Sequence, residues 1–301
     1  MRKSLLLIFF LPFFTIGQEY VDVFKISYGR TFHNDFENTA SNTEISSLKT
    51  GITIPIPINE NQALVTGVDF SYNNLQLFPE AAYTGLYSTS LTFGIASIWS
   101  ERWSSTLIFL PKLASDYKNI SSDDFYVGGI ALLKFKKDEN LFYRFGAYAS
   151  QEAFGIFATP ILGCYYISTN KRFEIDLSLP IKGDINYNFG ATTLGIDYFG
   201  IRRSFNMHYE NSPAVYADLS STEIATYLQF KIHKENILLR TKVGYSINDY
   251  EVYARTDKID LGISAINLGD SRAPLNPSVD GSMFLRFEMV YRFHLGTTTS
   301  R

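Results

Sequence analysis

Cysteine is nearly absent: Cys164 is the only one in 301 residues. One thiol can form neither an intrachain disulfide nor a thiolate metal cluster, and a lone cysteine in an exported chain is most often a small buried hydrophobe. A strong charge of either sign is missing too. The formal net charge is −3, which gives no reason to expect a nucleic acid partner. After the first 17 residues no apolar run reaches 18 residues, so membrane-spanning helices are excluded. Histidine is scarce, its four occurrences being His33, His208, His233 and His294. His33 precedes Asp35 and Glu37, and His208 precedes Glu210 and Ser212, yet no Gly-x-Ser-x-Gly elbow and no His-x-Ser pair on a strand face accompanies them. Asp116, Asp123 and Asp124 flank one polar connection without the twelve-residue spacing of a calcium loop. These absences point away from an enzyme and from any cofactor or metal.

The chain opens MRKSLLLIFFLPFFTIGQ. Arg2 and Lys3 form a positive start, residues 5–14 an apolar run, and Thr15 and Gly17 the small residues of a cleavage site before Gln18. That is the layout of a cleaved signal peptide, and the run is too short for a span of about 20 residues. Aromatic residues, by contrast, are abundant: 20 Tyr and 25 Phe, 16% with Trp included. Soluble domains rarely need so many, whereas a membrane barrel needs an aromatic girdle at each lipid interface.

Period-2 alternation runs through almost the whole remaining sequence. In the last segment Met283, Leu285, Phe287, Met289, Tyr291, Phe293 and Leu295 share one face, and Arg286, Glu288, Arg292 and His294 the other, since residues i and i+2 lie on one side of a strand. The same pattern sets Ile52, Ile54, Ile56 and Ile58 against Lys49, Gly51 and Thr53, and Phe173, Ile175, Leu177 and Leu179 against Arg172, Glu174, Asp176 and Ser178. It sets Ile224, Leu228, Phe230 and Ile232 against Glu223, Gln229 and Lys231, and Leu239, Val243, Tyr245 and Ile247 against Arg240, Lys242, Gly244 and Ser246. Helical periodicity never outscores it.

Tight polar turns are predicted at 59–61, 100–102, 137–140, 169–171, around Phe199–Gly200, and at 234–236. Longer connections fall near 31–42, 74–82, 114–123, 150–155, 181–188, 210–221 and 249–281. Short turns alternating with long loops are the layout of outer-membrane barrels, whose periplasmic turns are short and external loops long. The count comes to about 14 strands, with 12 or 16 also compatible, in an all-β transmembrane antiparallel up-and-down barrel. The organisation expected is a signal peptide over 1–17, a barrel over 18–295 and a short tail over 296–301. The 249–281 connection is long for a bare loop and contains IDLGISAINLG, a small strand or a partial plug facing the lumen.

A secreted β-sandwich also alternates. Segments of about 10 to 14 residues suit a tilted bilayer span, however, and exceed the usual soluble strand of about 5 to 6. A charge facing lipid at mid-bilayer costs roughly 2 to 4 kcal/mol, so the charged faces line the lumen. Arg203, beside an apolar face and the turn expected at Phe199–Gly200, is read as snorkelling to the headgroups. Pro55 and Pro57 cannot donate to a ladder and are placed where pairing ends.

The stretch FYRFGAYASQEAFGIFATPILGCYYISTNKRFEIDLSLP carries Gly146, Tyr148, Glu152, Phe154, Gly155, Pro160, Leu162, Gly163 and Leu179-Pro180 in a run that resembles an uncharacterised Gram-negative outer-membrane β-barrel family classed as a domain of unknown function. The match covers about 40 residues, and this chain has Phe173 where the family usually shows Trp. The resemblance implies the barrel architecture and the cell outer membrane, and carries over no functional residue.

The charges expected inside the lumen are Glu174, Asp176 and Asp197 early in the chain, and Lys231, Arg240, Lys242, Arg286, Glu288 and Arg292 late. They form either cross-lumen pairs that satisfy buried charge or separated fields that set the ion preference of a pore. By position, Arg240 and Arg292 should share a depth on neighbouring strands with Glu288 nearest both, and Arg286→Gln should be tolerated. The leading reading is a monomeric, constricted pore for passive or facilitated passage of small solutes. A closed structural barrel whose external loops meet partners is the alternative, and a lipid-modifying enzyme a remote one. Expected partners are outer-membrane lipids and, during biogenesis, the barrel-assembly machinery.

Overall fold

A computed structural model describes residues 20–208, 214–232 and 236–294; the signal segment, Leu295, His233, most of the 234–236 turn and the tail lie outside them. Fourteen strands close into one antiparallel up-and-down barrel. We number them β1 Tyr20–Thr31, β2 Ser46–Asn59, β3 Gln62–Leu75, β4 Thr84–Ile98, β5 Trp103–Ser115, β6 Phe125–Lys136 and β7 Leu141–Glu152, then β8 Gly155–Ile167, β9 Phe173–Leu179, β10 Lys182–Asn188, β11 Thr192–Met207, β12 Val215–Ile232, β13 Ile237–Ala254 and β14 Ser282–His294. Each strand pairs with its sequence neighbours, and β1 closes on β14 with Tyr28 opposite Phe287 and Gly29 opposite Arg286.

The alternation sorts faces as the sequence predicts. Ile54, Ile58, Phe93, Leu107, Phe109, Ile224 and Phe287 are exposed on the outside, while Phe284, Arg286, Glu288 and Val290 are buried inside. Trp99, Trp103 and Phe189 stand exposed at the end of the short turns, where an interfacial girdle belongs. Pro55 and Pro57 lie beyond Ile52, the last β2 residue paired with β1, so no ladder bond to that neighbour is lost.

One region departs from the expected layout. The turn expected at Phe199–Gly200 does not exist, because both residues lie inside β11, and residues 181–188, expected as a long loop, are mostly strand β10. The mistake arises because β9 and β10 have only seven residues each and join through Pro180 and Ile181 well below the external rim. The 150–155 connection is tight as well, with only Ala153 and Phe154 between strands, and β12 and β13 run further out than expected, from Val215 and to Ala254.

The short hairpin leaves two edges. Above Leu162, β8 has no β9 partner; above Phe199, β11 has no β10 partner. The β8 edge is taken by a ribbon, Leu261–Ile263 with Ile266–Leu268, that pairs parallel at Phe157–Gly262 and Ala158–Ile263. Pro160 sits between the ribbon and the start of β9 pairing, where no donor is needed. The freed part of β11 swings inward and meets β5 through one parallel bridge, Asn206 to Ser115. The external half therefore closes as a smaller ring of nine strands, β1–β5 with β11–β14, and leaves β6–β8 beside it as a flank.

Parity along β11 puts Arg203 on the same side as Asp197, facing inward, where Nη1 donates to Ser71 Oγ at 3.2 Å. Arg203 does not reach the headgroups; the supposed turn beside it was the reason for that expectation.

Phe287 lies opposite Tyr28 and Thr241 in mid-strand, and Tyr291 opposite Ile237 near the end of β13. Phe287→Arg should lower barrel stability by about 2 to 4 kcal/mol and Tyr291→Arg by about 0 to 1, read from urea unfolding in lipid vesicles. Equal losses would contradict this register and depth.

Candidate functional site

The lumen holds three layers, built from the inward residues of successive strands. Nearest the short turns lies a charged layer. Lys242 Nζ stands 3.1 Å from Glu288 Oε1 and also pairs with Asp197, and Lys25 approaches Glu288 at 3.6 Å. Arg240 lies directly opposite Glu288 in the ladder, with the charged groups 4.0 Å apart, and its Nε donates to Gln229. Arg286 Nη2 donates to Glu223 Oε1 at 2.8 Å as one arm of a two-pronged pair. Around the opposite wall Asp176 binds Arg144 and Lys182, and Glu174 accepts from the Tyr20 hydroxyl at 3.1 Å.

Above this layer is a small cavity with about 30 Å³ of free space, reached by Lys49, Arg203, Glu223 and Arg286, room for about two water molecules. The top is apolar. Phe205, Met207, Ala217 and Leu219 from the inward-turned β11–β12 hairpin pack on Leu75, Leu77, Leu86, Ala114, Tyr250 and Val252, and this cluster caps the nine-strand ring.

Between that ring and the β6–β8 flank, carboxylates satisfy the freed edge of β11. The Ser204 amide donates to Glu152 at 2.8 Å and the His208 amide to Asp116 at 3.0 Å. Lys112 neutralises Glu152 at 2.7 Å, and Asn206 donates to Asp124 at 2.7 Å. A second aromatic cluster of Phe154, Phe157, Tyr216, Tyr253 and Ile259 fills this side compartment. Arg272 locks it from the 255–281 connection, pairing with Asp218 at 3.1 Å and Asp270 at 3.0 Å. Its hydrogen bonds hold the Asp270 carboxyl below the usual carboxylate range. IDLGISAINLG is thus a small strand pair on the barrel wall, with Ile266 exposed; the apolar cap is made by the wall itself.

His208 Nδ1 stands 3.2 Å from Asp116, and Nε2 faces Asp124 at 4.0 Å, beyond hydrogen-bond distance. His33 faces Asp35 at 2.9 Å. Among the described residues no three His, Cys, Asp or Glu side chains stand together in a way that holds a metal ion.

All nine charges singled out in the sequence lie on inward faces, but they are not one constellation. Lys242, Glu288, Asp197 and Arg240 come together; Arg286 turns to Glu223 instead; Glu174 and Asp176 serve the far wall. Lys231 sits at the end of β12 near the short turns. Arg240 and Arg292 do not share a depth. Stagger between β13 and β14 puts Arg292 beside Asn236, four residues below, where Asp22 binds it at 2.6 Å. Sequence reasoning missed Lys25, Lys49, Glu223, Arg144 and Arg203 as members of the site. Lys49 and Glu223 were legible from parity alone. Lys25 was hidden by an irregularity in register between Asp22 and Phe24, and Arg203 by the false turn.

The model of a family described as a domain of unknown function (DUF6268) matches residues 16–258. The chain belongs to that family. No curated protein matches it. Among solved structures it is similar to an outer membrane channel from Pseudomonas putida F1, at 8% identity over 90% of this chain and 95% of that one, with a TM-score of 0.47. It is similar to the Pseudomonas putida toluene transporter TodX at 9% identity over 90% of each chain, TM-score 0.35. The NanC porin matches at 10% identity over 89% of this chain and 98% of that one, TM-score 0.33.

In this DUF6268 barrel the Arg286–Glu223 pair is two-pronged, and both side chains are about nine-tenths buried. Removing one partner of a buried pair costs about 3 to 5 kcal/mol, while an apolar pair of similar volume is often neutral. Arg286→Gln should therefore destabilise by about 3 kcal/mol, against the tolerance expected from sequence, and Arg286→Met with Glu223→Leu should recover most of it. Urea unfolding of the refolded protein checks both; an unaltered midpoint for Arg286→Gln would contradict the pairing.

Proposed function

We propose that this chain is a barrel of the Gram-negative outer membrane whose lumen is a constricted path for small solutes rather than a wide pore. The observation that carries this reading is the inward-turned β11–β12 hairpin: its apolar face meets the opposite wall at Leu75, Leu77 and Leu86, above a layer in which the charges are paired across the lumen. A wide porin keeps an open aqueous channel, and here the cavity beneath the apolar cap has about 30 Å³ of free space. Passage then needs either very small solutes or a displacement of the hairpin. The competing reading, a closed barrel that acts through its external loops, is favoured by the cap being apolar and well packed, and the same recording separates the two.

In planar bilayers the wild-type protein should give conductance steps far below those of wide porins. Phe205→Ala, Met207→Ala and Leu219→Ala together should raise conductance several-fold by opening the cap. Large, stable wild-type steps would refute the constriction, and silence from both proteins would favour the closed barrel.

A further inference from the structure

The small cavity beneath the apolar cap is unusual in its charge. Its lining carries four cations: Arg30, which is half-exposed and pairs with Glu44, and Lys49, Arg203 and Arg286, with one carboxylate, Glu223, and Asn248 and Asn73 at its sides. Glu223 is already engaged by both terminal nitrogens of Arg286 and lies 4.0 Å from Lys49. Arg203 has a neutral hydrogen-bond partner, Ser71, and among the described residues no carboxylate within salt-bridge distance, the charge of Asp69 reaching it only from further off. The Nε–H groups of Arg203 and Arg286 are both buried without an acceptor. The roof is Leu219, Tyr250 and Phe284, so this excess positive charge lies under an apolar lid.

Buried charge is normally compensated, and an unpaired guanidinium N–H in a dry setting carries a desolvation cost of its own. Two such donors on one cavity make a site that an anion satisfies and a lone water satisfies poorly, because water cannot supply the missing charge. We propose that this cavity binds a small inorganic anion, of the size of a halide, held between Arg203 and Arg286 with Lys49 as the third cation. The free space, about 30 Å³, admits a monatomic ion with at most a water and excludes organic acids of several carbons. Arg203 is the discriminating residue, since Arg286 and Lys49 also face Glu223. The site holds whether or not the barrel conducts, because it depends only on the closed geometry.

The test compares bromide with gluconate, a large anion, at equal ionic strength on the full-length purified barrel in detergent. Bromide should raise the thermal midpoint saturably, as a ligand of the folded state does, and gluconate should not. Arg203→Gln should lose the saturable shift while remaining heat-modifiable on gels. Bromide-81 line broadening of the wild type, reversed by excess chloride, gives a readout that does not depend on any variant folding. Equal midpoints in the two salts with no line broadening would overturn the proposal and leave water in the cavity. A bromide shift undiminished in folded Arg203→Gln would overturn the assignment to this cavity.

Discussion

A sheet in lipid cannot leave an edge open, because nothing in hydrocarbon can bond its amides and carbonyls, and this barrel must close two edges that its own short β9–β10 hairpin creates. The β8 edge is met from outside by the Leu261–Ile263 ribbon, and the β11 edge from inside by Asp116, Glu152 and the bridge to Ser115. The rest of the external half follows. Carboxylates that cap backbone amides need cations, and Lys112 supplies one to Glu152 and Lys118 one to Asp116. The inward swing of β11 brings β12 with it and delivers Phe205, Met207 and Leu219 to the middle of the lumen.

That closure ties wall geometry to lumen chemistry. In the half nearest the short turns all fourteen strands share one ring, wide enough that charged side chains must reach across it, and they do so in pairs such as Lys242–Glu288 and Lys242–Asp197. In the outer half nine strands make a ring narrow enough to fill with side chains, as the link between strand number and diameter requires. The change from a wide charged chamber to a narrow apolar one occurs where β9 and β10 stop, and the cation-rich cavity lies just at that step.

Much of this was legible from period-2 alternation. Lipid-facing residues such as Ile54, Ile224 and Phe287 needed no structure to be placed, because a mid-bilayer charge is so costly that face assignment has one solution. The strand number came from counting tight turns, and it held because the false turn at Phe199–Gly200 stood in for the real one between β10 and β11. The inward hairpin was not legible. On β11 the parity from Asp197 through Arg203 to Phe205 continues unbroken, yet Gly200 and the apolar neighbours around it look like a turn, and seven-residue strands look like a loop. Pairing partners at a distance were equally out of reach. Glu223 is visible as a lumen residue, but only barrel shear decides that it meets Arg286 and that Arg240 meets Glu288 while Arg292 falls to Asp22.

The central claim is that the external part of β11 lies against β5 inside the barrel, and a cross-link measures it directly. Asn206 and Ser115 are paired across the parallel bridge and both are buried, and paired strands bring Cα atoms to about 5 Å, within the span of a disulfide. In a background of Cys164→Ser, the double variant Ser115→Cys and Asn206→Cys, folded in outer membranes and mildly oxidised, should form an intramolecular disulfide in most molecules, seen as a mobility change that reductant reverses. A folded, heat-modifiable barrel whose two thiols stay free would show that β11 remains in the outer wall, and the account of a capped lumen would be wrong.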